Sequence, residues 1–379
     1  MSLLIGIDGR ELESEPRGPG RVLKNLLEVW SETKTDCHFI IYFKNSDEFA
    51  KELPTPRFQT KIVKIPKLFD RIHIWEQFAL SHRIFYDKID VFLSPAYVAP
   101  LIATCPTVAL IHDISFQSHP EWFSPKHGVA MRLLTKLTAY RAKKIITCST
   151  QGKKEMTHYY GKQVGEKVEV VYWAPEKKFQ PDQEKTAKTL VEKKYGIKDP
   201  YFLFIGSLFK RRNIPIMLKA FQKFLDQFEN HKFVMIGNDS DAPPSISSII
   251  KSHQLENKVL HFDYVNESDL LAFLQATFCF IYPSTYEGYG LPLIEALACG
   301  VPGIRTDAET LEEIAGDGAI QVSPLNEVTL STAMIQLAEQ PKLRKEWVEK
   351  GLERAKKFSW KSAADSVLEI LEKAAQKDK

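Results

Sequence analysis

The segment FCFIYPSTYEGYGLPLIEALACG, residues 278–300, combines three structural signals in one stretch. Its opening run, FCFIYPS (278–284), is apolar on consecutive positions and reads as a strand buried on both faces. Gly288 and Gly290 then let the backbone turn close to a ligand, with no Cβ in the way. Pro292 suits the first turn of a helix, where its missing N–H costs nothing, and Gly300 stops that helix. Strand, glycine turn and helix make a βα unit of a parallel sheet. The turn also carries Glu287, and the first part of the helix carries Glu295. A helix amino-terminus presents unpaired N–H groups and attracts anions, so carboxylates there are unexpected. They make sense for a ligand that offers hydroxyls as well as phosphates. Without such a ligand, Glu295 would merely complement the helix dipole and Glu287 would be solvated.

The same strand–helix alternation extends in both directions. LLIGID (3–8), FIIYF (39–43), VALIHD (108–113) and KIITCS (144–149) read as buried strands, with the amphipathic RVLKNLLEVWSE (21–32) between the first two. The pattern restarts at YFLFIG (201–206), with helix IMLKAFQKFLDQF (216–228) and strand KFVMIG (232–237). At 379 residues the chain is long enough for two cores. The change of character near 170–185 divides it into an N-terminal Rossmann-like domain, 1–172, and a C-terminal one, 173–360. The last helix, SAADSVLEILEKAAQ (362–376), follows FSW (358–360), which could anchor residues 361–379 back on the first domain. Open α/β sheets hold ligands at the carboxyl ends of their strands.

Composition narrows the class. The chain is 44% hydrophobic and 26% charged, with formal net charge +3. Residues 1–180 hold 26 Lys+Arg against 20 Asp+Glu, and residues 181–379 hold 25 against 28. A basic first half suggests anionic partners, phosphate groups or a membrane surface, although scatter among solvated faces explains so small an imbalance as well. Nothing in this balance asks for nucleic acid. Cys37, Cys105, Cys148, Cys279 and Cys299 are widely spaced, so neither a zinc site nor a disulfide framework is indicated and a cytoplasmic setting fits. The uncharged run from Val91 to Ile111 has the length of a membrane span, but Pro95, Pro100 and Pro106 interrupt it; it reads as two strands and a loop.

Three further constellations carry chemistry. In LFIGSLFKRRNIP (203–215) a strand ends at Gly206 and a short loop delivers Lys210, Arg211 and Arg212 ahead of a helix. Guanidinium groups so placed can hold phosphates bidentately, whereas a solvated basic turn is the plainer reading. PRGPGRVLKNLLE (16–28) is a glycine turn, Gly18 and Gly20, opening a helix. It lacks the third glycine of a dinucleotide site, because position 23 is Leu. His112 and Asp113 fall at a strand's carboxyl end, where a catalytic histidine and a core histidine look alike. Asp239-Ser240-Asp241 imitates a D-x-D metal site without a third ligand nearby, and no metal is expected.

Taken together, STYEGYGLPLIEALACGVPG, FIGSLFKRRN, HD…PEWFS and GPGR resemble the retaining, GT-B-fold glycosyltransferases of the family-4 type over nearly the whole chain. Glu287 and Glu295 have that family's E-x7-E spacing. The resemblance implies two Rossmann-like domains facing across a cleft, a nucleotide-sugar donor held mainly by the second, and a glycan or lipid-linked acceptor held mainly by the first. It implies that Glu287 holds the sugar hydroxyls and Glu295 the ribose hydroxyls. Gly288, Tyr289, Gly290 and Leu291 would lie along the sugar and phosphates. Gly18, Gly20, Gly206, Ser207, Tyr264 and Val265 complete the implied donor-binding set. Arg211 and Arg212 take the places of an Arg-Lys phosphate pair, and His112 that of the active-site histidine. Such enzymes need no cofactor; GDP-mannose is a first guess for the donor. A sugar-nucleotide epimerase, or a binding subunit without catalysis, is the alternative. The basic, aromatic stretch PRFQTKIVKIPKLFDRIHIW (56–75) would suit peripheral contact with an anionic membrane surface at the inner face, or an ordinary solvated face.

Overall fold

The computed structural model describes residues 3–48, 53, 57–65, 74–239 and 245–376. The chain divides into two units, Met1–Trp173 with Ser359–Lys379, and Ala174–Phe358. Each is built on one wholly parallel sheet.

The first unit holds β1 (Leu4–Asp8), β2 (His38–Phe43), β3 (Phe58–Ile62), β4 (Val91–Ser94), β5 (Thr107–Leu110), β6 (Lys144–Thr147) and β7 (Val168–Val170). Their order across the sheet is β3-β2-β1-β4-β5-β6-β7. Central strands are apolar on both faces because helices cover both: Ile5, Ile7, Val91, Phe92, Leu93 and Val108 are fully buried. After β1, Gly18 takes φ 45°, a left-handed conformation that favours glycine, and the helix Pro19–Glu32 begins. The final helix, Trp360–Ala375, belongs to this unit. Ser359 caps it, Trp360 stacks on Trp173 at 5.8 Å, and the Trp30 indole N–H donates to the Ala364 carbonyl at 3.0 Å. Trp360, the last residue of FSW and the first of this helix, thus anchors its start on the first unit.

The second unit holds β8 (Tyr201–Ile205), β9 (Lys232–Ile236), β10 (Val259–Phe262), β11 (Cys279–Tyr282), β12 (Gly303–Thr306) and β13 (Ile320–Val322), in the order β10-β9-β8-β11-β12-β13. This is the doubly wound order of a nucleotide-binding sheet, whose direction of travel reverses between its first strand and the neighbour on the other side. The helix Ile214–Leu225 shows why it packs: Met217, Leu218, Phe221 and Phe224 recur on one side and are fully buried. Phe224 meets Phe202 of β8 edge-on at 4.9 Å. Each such buried side chain contributes about 1.5–3 kcal/mol.

Several strands lie where apolar periodicity is silent. β3 (FQTKI) is an edge strand with polar, partly exposed residues. β12 (GIRT) carries Arg305, 2% exposed, which pairs with Glu312 and donates to the Gly316 carbonyl at 2.9 Å. The run at 278–284 yields a shorter strand, since Pro283 and Ser284 already belong to the turn. The uncharged stretch 91–111 resolves into β4, a loop and β5. Among the described residues no helix is long and apolar enough to cross a membrane.

Candidate active site

Loops at the carboxyl edge of the second sheet bring the two charged constellations together. β8 leads through Gly206 into the single turn Lys210–Arg212, and β11 leads into the turn 283–290. Asn213 joins the two loops: its side-chain amide donates to the Pro283 carbonyl at 2.7 Å and to the Arg211 carbonyl at 3.1 Å. The Thr285 N–H donates to the same Arg211 carbonyl at 3.0 Å, and the Thr306 hydroxyl donates to the Ser284 carbonyl. Two loops 70 residues apart in sequence are therefore held as one surface.

Arg212 lies at its centre. The residue is 8% exposed, donates from Nη1 to Ser284 Oγ at 2.9 Å, forms an ion pair with Glu287, and sits over the Tyr282 ring at 5.0 Å. Burial, reinforced by the neighbouring Arg211, lowers its proton affinity below that of an ordinary arginine, so the charge is held under stress. Burial likewise pushes the Tyr282 phenol up. Arg211 lies over Phe209 at 4.8 Å.

Next along the chain, Gly290 takes φ 105°, and a Cβ there would sit 2.9 Å from Leu311 Cδ2. Only glycine fits that turn without displacement. The helix Leu291–Ala298 starts immediately after it, so Glu295 is its fifth residue, one position beyond the first turn expected from Pro292. Neither carboxylate is solvated: Glu287 is 9% and Glu295 2% exposed. Burying two carboxylates here is costly without compensation, and Arg212 supplies it for Glu287.

The first unit places its candidates at the carboxyl edge of its own sheet. His112 follows β5, and its Nε2 lies 3.0 Å from the Pro95 carbonyl. A carbonyl can only accept, so Nε2 carries the proton and Nδ1 is left as an acceptor. Burial holds the imidazole's pKa below its usual value, which keeps it neutral. Tyr97, with φ 55°, meets the His112 ring edge-on at 5.8 Å and donates to Asp113 Oδ2 at 3.4 Å. Asp113 Oδ1 also accepts the Ser115 N–H at 2.8 Å. Gly18 and Gly20 open the helix after β1 at the same edge; a Cβ on Gly20 would meet the Glu11 carbonyl at 2.5 Å.

Arg211, Arg212, Glu287, Gly206, Ser207, Gly288, Tyr289, Gly290, Leu291 and Glu295 thus share the carboxyl edge of the second sheet, with Tyr264 and Val265 on the loop after β10. His112, Gly18 and Gly20 share that of the first. Sequence reasoning overlooked Asn213, Ser284, Tyr282 and Tyr97. Asn213 had a signal: Asn directly before Ile-Pro is a helix start, and it is the residue before the helix Ile214–Leu225. Ser284 and Tyr282 had none, because contacts across 70 residues leave no local pattern. Of the D-x-D look-alike, Asp239 accepts the Ile246 N–H at 2.8 Å, while Ser240 and Asp241 lie outside the described residues. So do Pro56 and residues 66–73 of the basic segment 56–75.

Known proteins similar to this chain are glycosyltransferases. A model of the Glycosyltransferase Family 4 matches residues 16–174, and one of the glycosyl transferases group 1 matches residues 187–354. O-antigen chain mannosyltransferase B of Escherichia coli is 26% identical over 263 residues, 69% of this chain and 68% of that protein. O-antigen chain mannosyltransferase RfbU of Salmonella typhimurium is 26% identical over 231 residues, 61% of this chain and 60% of its own length. In fold, the chain is similar to HepE from Anabaena in complex with UDP and glucose, with TM-score 0.77 at 16% identity, covering 98% of this chain and 100% of that one. It is also similar to WaaG, a glycosyltransferase of lipopolysaccharide biosynthesis, with TM-score 0.73 at 15% identity, covering 97% and 99%.

Proposed function

The chain belongs to the family-4 type of GT-B-fold glycosyltransferases, and from that premise we propose that it transfers a hexose from a nucleotide-diphosphate sugar to a glycan or lipid-linked acceptor, with retention of anomeric configuration and without a metal ion. The observation that carries the donor assignment is the Arg212–Glu287 pair, buried where two strand-end loops are laced together and beside a helix amino-terminus. An incoming diphosphate competes with Glu287 for the guanidinium. It relieves the charge stress on Arg212, and it frees the Glu287 carboxylate to accept hydrogen bonds from sugar hydroxyls. Glu295 takes the ribose hydroxyls in this reading, and the backbone from Gly288 to Leu291 lies along the phosphates. Gly206, Ser207, Tyr264 and Val265 complete the donor contacts. In the first unit, His112 offers Nδ1 as an acceptor for a sugar hydroxyl, and the turn at Gly18 and Gly20 lets ligand approach the backbone.

The transfer step is a front-face displacement. The bond from the anomeric carbon to the diphosphate oxygen breaks with its electron pair leaving on oxygen. The acceptor hydroxyl forms its bond to the same face, and its proton passes to the departing diphosphate. Arg211 and Arg212 stabilise the charge that develops there, the role a metal ion fills in other designs. The O-antigen mannosyltransferases among the relatives favour a mannose donor, with GDP-mannose tried first. A lipid-linked acceptor would bring the protein to the inner membrane face.

Thermal unfolding against GDP-, UDP- and dTDP-sugars, with and without EDTA, tests the donor site. At a hundred times its dissociation constant, the right donor adds about 2.7 kcal/mol. A shift with one nucleotide family, unchanged by EDTA and abolished in Glu287→Ala, is expected. Retained transfer in a folded Glu287→Ala protein would overturn the site assignment, and turnover of the sugar nucleotide without acceptor would make the protein an epimerase.

A further inference from the structure

Among the described residues, five other than glycine have positive φ, and four of them stand at helix ends. Lys88 follows the helix Ser81–Asp87 and Gln254 comes shortly after Ile246–Ser252, where a left-handed residue commonly closes a helix. Lys185 and Asn213 directly precede helices. Tyr97, with φ 55°, is the exception: it lies in the loop that leaves β4 at the carboxyl edge of the first sheet. A bulky aromatic residue in that conformation costs free energy and persists only where its surroundings hold it.

Three hydrogen bonds do so here. The Tyr97 N–H donates to the Leu110 carbonyl at 2.9 Å, at the end of β5 and two residues before His112. The Ser94 hydroxyl donates to the Val98 carbonyl across the turn, and the Ala99 N–H donates to Thr138 Oγ1 at 3.1 Å. The turn so tied carries the Pro95 carbonyl that accepts from His112 Nε2 at 3.0 Å. The Tyr97 ring then packs edge-on against His112 at 5.8 Å and against Phe116 at 5.9 Å, while Trp173 packs on the same imidazole at 6.3 Å. The Cys148 thiol donates to the His112 carbonyl at 3.1 Å, so backbone and ring of His112 are both held. Asp113, next in sequence, meets other donors: the Ser115 N–H at 2.8 Å and, by a long bond at 3.4 Å, the Tyr97 hydroxyl. At that length the hydroxyl counts for less than the ring and the turn.

We propose that Tyr97 is a positioning residue for the transfer: its left-handed turn and its ring hold the His112 imidazole in the single Nε2–H form, with Nδ1 kept as the acceptor for a sugar hydroxyl. A free neutral imidazole exchanges its proton between the two nitrogens, and only the form with Nδ1 bare can accept at that atom. The Pro95 carbonyl selects that form, and the Tyr97 turn is what brings the carbonyl to the ring. A tyrosine that served the core alone would need neither the strained backbone nor a place beside this histidine. The inference rests on the sugar contact proposed for His112 above.

Nitrogen NMR of the full chain carrying isotope-labelled histidine reads the tautomer of each imidazole, and His112→Gln identifies the signals of His112. The wild type is expected to show one Nε2–H form. Tyr97→Ala should spread His112 over both tautomers and lower kcat by about 10- to 100-fold, the usual range for a displaced contact. The thermal shift produced by GDP or UDP should not change, because the nucleotide contacts proposed above lie in the second unit. Tyr97→Phe keeps ring and turn, and should keep both the tautomer and most of the rate. Tyr97→Asn tolerates left-handed backbone while removing the ring, and repeats the test if alanine unsettles the fold. A His112 spectrum unchanged in a folded Tyr97→Ala or Tyr97→Asn protein would overturn the positioning role, whatever the rate. A disturbed spectrum at unchanged rate would overturn instead the sugar contact of His112, and the consequence for transfer with it.

Discussion

Two arginines occupy matching places in the two units and sit in opposite charge environments. Arg10 follows β1 and Arg212 follows β8, each leaving the carboxyl end of the strand at which its sheet reverses direction. Arg10 donates from Nε to both oxygens of Asp8 at 3.0 Å, reaches Glu76 at 3.4 Å, and lies over the Trp75 ring at 4.9 Å. Although burial works against its charge, Asp8 and Glu76 raise its proton affinity above that of an ordinary arginine. Arg212 pairs with Glu287 but has a second arginine beside it, and its proton affinity falls. A cation well supplied with carboxylates serves structure, whereas a cation short of them is a candidate to hold an anion, the role proposed above for Arg212. Position in the topology does not distinguish the two, but the count of neighbouring charges does.

The largest effect should therefore come from Arg10→Ala, and it should be on stability. Asp8 and Glu76, 3% and 1% exposed, would be left without their main partner, a loss of about 3–5 kcal/mol by the general cost of breaking a buried pair. Denaturant unfolding should report it, while the folded fraction binds nucleotide sugar as before. Lost donor affinity at unchanged stability would erase the contrast between the two arginines.

Arg212→Ala should show the converse. Transfer should fall by about two to three orders of magnitude, the usual effect of removing a group that stabilises transition-state charge. Stability should suffer less than in Arg10→Ala, because Glu287 can take the Ser284 hydroxyl or water in place of the guanidinium. Arg212→Lys sharpens the point: it keeps the charge but not the planar guanidinium whose Nη1 meets both Ser284 and Glu287, so rate should recover only in part. Full recovery would mean that charge alone suffices.

Gly290→Ala comes next, at about 1–3 kcal/mol, because φ 105° strains any side chain and the new Cβ would press on Leu311. If the turn is the phosphate cradle proposed, donor affinity falls with it. A variant that loses stability yet binds donor normally would move the phosphates elsewhere.

How much of this was legible beforehand follows from the range of each interaction. Apolar runs identified β1, β2, β8, β9 and β11 because a strand covered on both faces must be apolar throughout. The same rule hid β3, an edge, and β12, whose buried Arg305 is satisfied by a carboxylate seven residues on. Within the candidate site, Glu287, Arg211 and the glycines stood out as local motifs. That Arg212 would be paired with Glu287, and held by Ser284 and Tyr282, depended on two loops meeting across some 70 residues. The Arg10 cluster was missed for the same reason, since Glu76 lies on the far side of two strands in sequence.

The smallest effect concerns two histidines, which are treated alike in the two units where the arginines are not. His112 packs against Tyr97 and Trp173, and His231 among Phe202, Phe224, Phe228 and Phe278, with Asp199 as the charge that reaches it. Burial lowers the pKa of both. As pH falls through about 6.5, the unfolded chain takes up protons that the folded chain refuses. Stability from this source is therefore complete above that pH and declines below it, until the folded-state pKa is reached. Between pH 7.5 and 5.5, above the carboxylate range, the melting temperature should drop modestly. His231→Gln should remove part of the drop without touching transfer. His112→Gln should remove another part and, on the acceptor role proposed for Nδ1, slow transfer. A melting temperature that holds or rises at pH 5.5 would count against burial holding these imidazoles neutral, and with it against the acceptor role proposed for His112.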